Sequence, residues 1–261
     1  MSRLHGGVSL KWCSWGTLVP LYMRKRLVLG MLAALSLLSI ASDAAAPNIK
    51  GKISGQEKLV PEVYAEAAKP DSRRWTWREP SPSVAAPLRT LSANPSRDLC
   101  IAAMQADNFG PQGPILMSVT GGRVFPTTIV VTPGTELVFK NFDPFKHRLF
   151  VVDQPTMKAE DLQTGAQRTW GAPGPGRYEV RDELFPSVRT FIVVDPQVAQ
   201  IAYPGRDGIF SFSLPGGDYV LKAFFAGKQV GKPVSVNAKD KLVELKDPLD
   251  VSPNSSGADG K

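Results

Sequence analysis

Cysteine is nearly absent from this chain, which has two among 261 residues. Cys13 lies in a predicted export leader, so Cys100 is alone in the mature chain and no internal disulfide can form. We interpret Cys100 as a small buried residue, because the run Leu99–Ala102 is typical of a core strand. A reactive thiol or an intermolecular bridge is the alternative for a lone cysteine in an exported protein.

The sequence patterns of common catalytic sites are also missing. The chain contains no Gly-rich phosphate-binding loop, no Gly-x-Ser-x-Gly elbow and no HExxH motif. A Ser-His-Asp site would have to use His147, the one histidine outside the leader, and no nucleophile is recognisable for it. We therefore expect a protein that is not an enzyme.

The formal net charge of +7 does not indicate a nucleic-acid-binding protein. Much of the excess lies in the first 46 residues, and the remainder of the chain carries only +3. No dense basic stripe with interleaved aromatic side chains follows. We expect no nucleic-acid partner.

The N-terminal 46 residues have the pattern of a signal peptide. The basic triplet Arg24–Arg26 precedes an apolar run over residues 27–41, and small residues over 42–46 provide a cleavage site. The apolar run is shorter than the roughly 20 residues of a membrane span. We predict cleavage, a periplasmic or secreted protein and no integral membrane span afterwards. A retained signal anchor is the alternative, and Met23 is an alternative start.

Glycine and proline are abundant, at 23 residues each, and they separate many short alternating or β-branched runs. This spacing predicts an all-β protein built from sandwiches, without long helices. We predict an unstructured segment from residue 153 to about 169 and a disordered tail over 251–261. The predicted strands are 49–53, 60–67, 99–104, 115–120, 127–132, 136–142, 149–152, 177–182, 189–194, 209–214, 219–225, 232–236 and 241–245.

Residues 124–194 resemble the cupredoxin family of blue-copper sandwiches. The matching stretches are VFPTTIVV from Val124, PGTELVFKNFD from Pro133, GRYEV from Gly176 and FIVV from Phe191. The resemblance implies a cupredoxin-like domain over 98–195, with His147 at the place of the first copper ligand.

The ligand loop departs from the family pattern. The resemblance puts Asp182 where the family has its cysteine, Phe185 where it has its second histidine and Val188 where it has methionine. A blue-copper centre requires two imidazoles and a thiolate, so we predict no copper and no other cofactor, with copper binding as the alternative. Asp182–Glu183 beside His147 leave a hard-ion or acid–base site open, although a solvated acidic pair is our interpretation. We interpret three possible soft donors, Met104, Met117 and Met157, as core residues.

The stretch over 196–250 resembles the carboxypeptidase regulatory-like sandwich, which has a transthyretin-type fold. The motif is RDGIFSF from Arg206 and LPGGDYVLKA from Leu214. Because the stretch is short for such a domain, we predict that residues 47–97, with N-terminal strands and a Pro-rich crossing segment, contribute to it. The predicted fold is thus a cupredoxin-like β-sandwich plus a smaller carboxypeptidase regulatory-like β-sandwich.

These features together favour a non-catalytic binding or structural module of the cell envelope. We expect its partner to be an envelope protein or polymer. Alternatives are a copper-binding or electron-transfer cupredoxin and an accessory subunit of an envelope enzyme. The candidate contact residues are aromatic side chains and one arginine, because such residues are typical recognition anchors: Trp75, Trp77, Arg78, Phe142, Phe145 and Phe185.

Overall fold

Alternating and β-branched runs form strands in this protein, and glycine or proline residues lie in many of the turns between them. A computed structural model describes residues 48–61, 93–154, 156–239 and 241–253. The described helices are a 3-10 turn at Gln56–Lys58 and α1 at Pro95–Asp98, so the predicted all-β class is confirmed. The strands are β1 Ile49–Ser54, β2 Leu99–Met104, β3 Ile115–Thr120, β4 Arg123–Phe125, β5 Thr128–Val131, β6 Glu136–Asn141, β7 His147–Val151, β8 Glu160–Leu162, β9 Gln167–Gly171, β10 Gly176–Asp182, β11 Arg189–Val194, β12 Val198–Ala202, β13 Ile209–Phe212, β14 Gly217–Phe225, β15 Lys228–Ala238, β16 Val243–Glu244 and β17 Leu249–Asp250.

The first sandwich packs two sheets against each other. One sheet has the order β5-β11-β10-β7-β8 and the other has the order β4-β3-β6-β9. Strand β6 shows why the sequence folds this way, because its buried and exposed residues alternate and Leu137 and Phe139 face the core. Leu149 and Ile192 of the opposite sheet meet them there. The core of this sandwich is therefore formed by side chains from both sheets.

The second sandwich combines segments that are far apart in sequence. Its sheets have the orders β12-β2-β14-β15 and β13-β1-β16, and β17 also pairs with β1. Strand β1 lies antiparallel to β13, with Ile49 opposite Phe212. The shared core includes Ile49, Ile101 and Leu221. The segment 49–54 thus pairs with a strand more than 150 residues later in the chain and completes the sheet there.

Strand β2 belongs to the second sandwich, and this corrects the domain start predicted at residue 98. Ala103 of β2 lies opposite Leu221 of β14, and β2 also pairs with β12. All six residues of β2 are buried, as expected for a central strand covered on both faces. The rest of the predicted domain division stays a prediction.

The two sandwiches share a buried junction. Cys100 and Met104 on one face of β2 pack with Val130 of the edge strand β5 and with Phe224 of β14. At its border, the Thr128 hydroxyl oxygen accepts a hydrogen bond from the Ala226 N–H at 3.0 Å. Apolar packing and a buried hydrogen bond therefore join β5 to the second sandwich.

Two predicted irregular segments contain ordered structure. The segment 153–169 includes β8, whose Leu162 pairs with His147, and the start of β9. The sequence of β8 is polar and does not show a strand pattern. The strand forms because backbone N–H and C=O groups at the edge of β7 are available for pairing. The predicted tail begins too early, because Val251 is fully buried and its N–H donates to the Ser54 oxygen at 2.9 Å.

Several predictions fall on residues outside those that the structure describes. They concern the leader over 1–46 with Cys13, most of the predicted strand at 60–67, and the contacts at Trp75, Trp77 and Arg78. Within the described ranges, no helix has the length and apolar character needed to cross a membrane.

Candidate functional site

The loop between β6 and β7 places His147 at one end of the first sandwich. Asn141 organises this loop, since its side-chain oxygen accepts from the Asp143 N–H at 2.8 Å. Its Nδ2 donates to the Phe145 oxygen at 2.8 Å and to the Leu162 oxygen at 3.0 Å. His147 then enters β7 with its side chain fully buried. The Asn141 side chain thus stabilises an Asn-x-Asp turn, and this turn sets the conformation of the loop before His147.

Both ring nitrogens of His147 contact carboxylates. Nδ1 lies 2.5 Å from Asp182 Oδ2, and Nε2 lies 3.0 Å from Asp143 Oδ2. A histidine that donates from both nitrogens is an imidazolium, and this form satisfies both carboxylates at once. The contacts are buried, so both are protected from water.

Asp182 is also held by the backbone of its own loop. Its Oδ1 accepts from the Leu184 N–H at 2.6 Å and from the N–H groups of Phe185 and Arg148 at 3.3 and 3.2 Å. Both oxygens of this buried carboxylate are therefore used within the protein. Glu183, its sequence neighbour, lies apart from His147 and pairs at the surface with Arg148 at 3.4 Å.

Asp143 connects His147 to the turn between β3 and β4. Its two oxygens accept from the N–H groups of Gly121 and Gly122 at 2.5 and 2.9 Å. Burial by itself raises the pKa of Asp143, but the N–H groups of Gly122 and Gly121 and the ring of His147 together bring it below its ordinary value. The stretch PGTELVFKNFD ends at Asp143, but this residue was not among the predicted site residues.

Two phenylalanine rings cover His147. The ring centroids of Phe145 and Phe185 lie 5.1 and 5.2 Å from the imidazole, and 4.7 Å from each other. Val188, at the third position singled out from the ligand loop, is fully buried in the core. The structure thus brings His147, Asp182 and Phe185 together, whereas Val188 belongs to the core of the first sandwich.

These residues do not fit a blue-copper centre. The carboxylate of Asp182 stands at the predicted thiolate position, and a hydrocarbon ring stands at the second imidazole position. The nitrogens of His147 already face carboxylates at hydrogen-bonding distance. Throughout the described ranges, no group of three or more His, Cys, Asp or Glu side chains is arranged to hold a metal ion.

The methionine side chains that could donate to soft metals are buried in two different cores. Met117 and Met157 lie in the first sandwich, whereas Met104 lies in the junction between the sandwiches. Their interpretation as core residues is confirmed by this burial.

Exposed apolar side chains lie on the two loops that flank His147. Phe142 is 50% exposed and Phe145 and Leu184 are each 38% exposed, while Phe185 is half-buried beside Phe145. We call these four residues the aromatic patch. Three of them were predicted contact residues, and Leu184 was not. Its position between Glu183 and Phe185 in the same loop was the available signal.

Charged side chains beside the aromatic patch pair mainly with one another. Lys146 contacts Asp161 at 2.7 Å, and Arg148 contacts the same carboxylate at 2.8 Å. The ammonium of Lys140 lies 5.1 Å from the centroid of the Phe142 ring. The surroundings of the patch therefore combine both signs of charge.

Cys100 is inaccessible, which confirms its interpretation as a buried residue. It is fully buried in the junction beside Val130 and Tyr203. Burial raises the pKa of its thiol to about 12, although hydrogen bonds with Val130 and Tyr203 oppose the shift. A thiol in this state is a poor nucleophile.

Comparison with family models and with curated proteins finds no match to this chain. Amicyanin from Paracoccus versutus is similar at 10% identity over 36% of this chain and 97% of its own, with a TM-score of 0.30. A purple cupredoxin from Nitrosopumilus maritimus is similar at 17% identity over 31% of this chain and 99% of its own, with a TM-score of 0.27. The Cu-containing nitrite reductase from Thermus scotoductus is similar at 22% identity, with a TM-score of 0.29. The match covers 36% of this chain and 24% of that enzyme. At these TM-scores the similarity carries no argument about what this chain does.

Proposed function

We propose that this chain is a non-catalytic binding module that contacts a protein partner through the aromatic patch. The observation that carries the proposal is the combination of an exposed apolar surface with a histidine whose ring nitrogens are both occupied below it. Aromatic side chains exposed together are typical of recognition surfaces. A histidine bound on both sides has no lone pair available as a general base.

The size of the patch favours transient binding. A stable protein interface buries about 800 Å² on each partner. The patch has only four partly exposed side chains, so it is too small to form such an interface alone. The protein partner therefore needs a small apolar surface of its own, and the surrounding charges contribute to specificity.

The patch is tested by changing its two members that do not cover His147. Phe142→Ser together with Leu184→Ser should reduce capture of a cross-linked partner from the native envelope at least tenfold. Leu116→Ser is a matched control, because Leu116 is 51% exposed on β3 of the same sandwich. Unchanged capture by the patch variant, or equal loss in the control, would overturn the proposed surface.

Export through a cleaved signal peptide is part of the proposal and is supported by the basic and apolar pattern of residues 24–46. Isolation from cell fractions followed by N-terminal sequencing should give a chain that begins near residue 47 in the periplasm or the medium. Metal analysis of the same preparation should find copper well below one ion per chain. Stoichiometric copper would favour the copper-binding alternative.

A further inference from the structure

Three loops meet at His147. The Gly121–Gly122 turn and the loop after β10 are each linked to it through a carboxylate, and the third loop ends at His147 itself. Asp143 binds the Gly121–Gly122 turn, while His147 ends the loop that carries Phe142 and Phe145. Asp182 binds the backbone of Leu184 and Phe185 in the third loop. Two of these loops carry the whole aromatic patch.

We infer that Asp143, His147 and Asp182 form a buried cross-link in which a protonated imidazole holds the three loops in one arrangement and so positions the aromatic patch. Its effect on binding rests on the proposed function, whereas the cross-link itself does not. Asp143 and Asp182 are positioning residues, because they act on the patch through His147 and through backbone N–H groups.

With both carboxylates ionised, the geometry fits the charged ring. A neutral imidazole has one N–H, so one carboxylate would face a nitrogen lone pair in a buried site at a contact of 2.5 or 3.0 Å. The charged groups nearby do not compete for it, since Lys146 and Arg148 pair with Asp161 at the surface and Arg148 also pairs with Glu183. Removal of either carboxylate therefore weakens the whole connection.

The ring charge can be measured without any partner. In the full chain with His5→Gln, the ring nitrogen chemical shifts at pH 7 report on His147 alone. We expect two protonated nitrogens in this parent chain and loss of that signature in Asp143→Asn and Asp182→Asn. Asp161→Asn is the matched control, because it removes an exposed carboxylate from the same end of the sandwich. A neutral ring in the parent chain would overturn the inference even if a variant failed to fold.

Amide exchange tests whether the loops are coupled. In Asp143→Asn, exchange at Leu184 and Phe185 should accelerate about tenfold although neither N–H binds Asp143. In Asp182→Asn, exchange at Gly121 and Gly122 should accelerate in the same way. Core amides of the second sandwich should lose protection only to the extent that the free energy of unfolding falls, which shows that the fold is intact. Acceleration restricted to the direct partners of each mutated carboxylate would overturn the cross-link, independently of whether Phe142→Ser with Leu184→Ser loses a partner.

Discussion

At the scale of single residues, the carboxylate of Asp143 has a pH-dependent effect on stability. Its pKa lies below the ordinary value of 3.8 in the folded protein, since N–H donors and His147 outweigh its burial. A lowered folded pKa means that the stabilisation is complete above the pKa of the unfolded chain and is lost as the pH falls through the folded value. The contribution is thus present at neutral pH and disappears in acid.

The Asp143→Asn substitution should lower the free energy of unfolding by about 1.5–3 kcal/mol at pH 6, the range for hydrogen bonds to charged groups. The difference from the parent should shrink as the pH falls below about 4, where the parent carboxylate also becomes protonated. Urea unfolding at several pH values measures this. Asp107→Asn, at an exposed carboxylate, is the control. A difference that does not change with pH would contradict the assignment.

Cys100 should be almost unreactive in the folded protein. With a thiol pKa of about 12, the thiolate is a very small fraction at pH 8, and burial blocks access to it. In a Cys13→Ser chain, a thiol reagent should label the folded protein at least a hundredfold more slowly than the urea-unfolded protein. Labelling of the folded protein at the rate of a free thiol would show that the junction opens.

At the scale of elements, the C-terminal segment lies directly against strand β15. Gly231 has a φ of +65° and its N–H donates to the Ser252 oxygen at 2.9 Å. A Cβ at this position would lie 1.6 Å from the Asp250 oxygen. The contact involves backbone on both sides, so no flexible side chain can move aside.

The Gly231→Ala substitution should therefore destabilise the protein by about 3 kcal/mol or more. Gly165→Ala is a matched control, since Gly165 has a φ of +77° but no atom within 4 Å of the added Cβ. It should cost only the backbone strain of about 1–2 kcal/mol. Urea unfolding of the two variants compares these costs. Equal losses would show that the close approach to Asp250 is unimportant.

At the scale of the whole molecule, the junction should make the sandwiches unfold together. Cys100 and Val130 pack across it, and Thr128 accepts the buried Ala226 N–H. Thr128→Val keeps the side-chain shape but leaves that N–H without its acceptor, which should cost about 1–3 kcal/mol. Exchange protection in β6 and β14 should fall by similar amounts in this variant. Protection lost in only one sandwich would show that they unfold separately.

Much of the local structure could be predicted from the sequence. The strand predictions at 99–104, 115–120 and 189–194 match the observed strands, because apolar alternation and β-branched residues act over short distances. Strands β8 and β9 were not predicted, because most of their residues are polar and exposed. Their formation depends on pairing with β7 and β6. The candidate site was predicted in part, as Asp182 and Phe185 adjoin His147 but the role of Asp143 was not seen.

By itself, the sequence determined the residue types available at the site and the strand-forming character of the chain. A lone histidine outside the leader, a carboxylate at 182 and a phenylalanine at 185 are facts of composition and order. Only the tertiary structure decided that two carboxylates, 4 and 35 residues from His147, occupy its two nitrogens. It likewise decided that β2 joins the second sandwich and that Val251 is buried. Such contacts depend on strand pairing between distant segments, whose free energy comes from shared burial and backbone hydrogen bonds rather than from local preference.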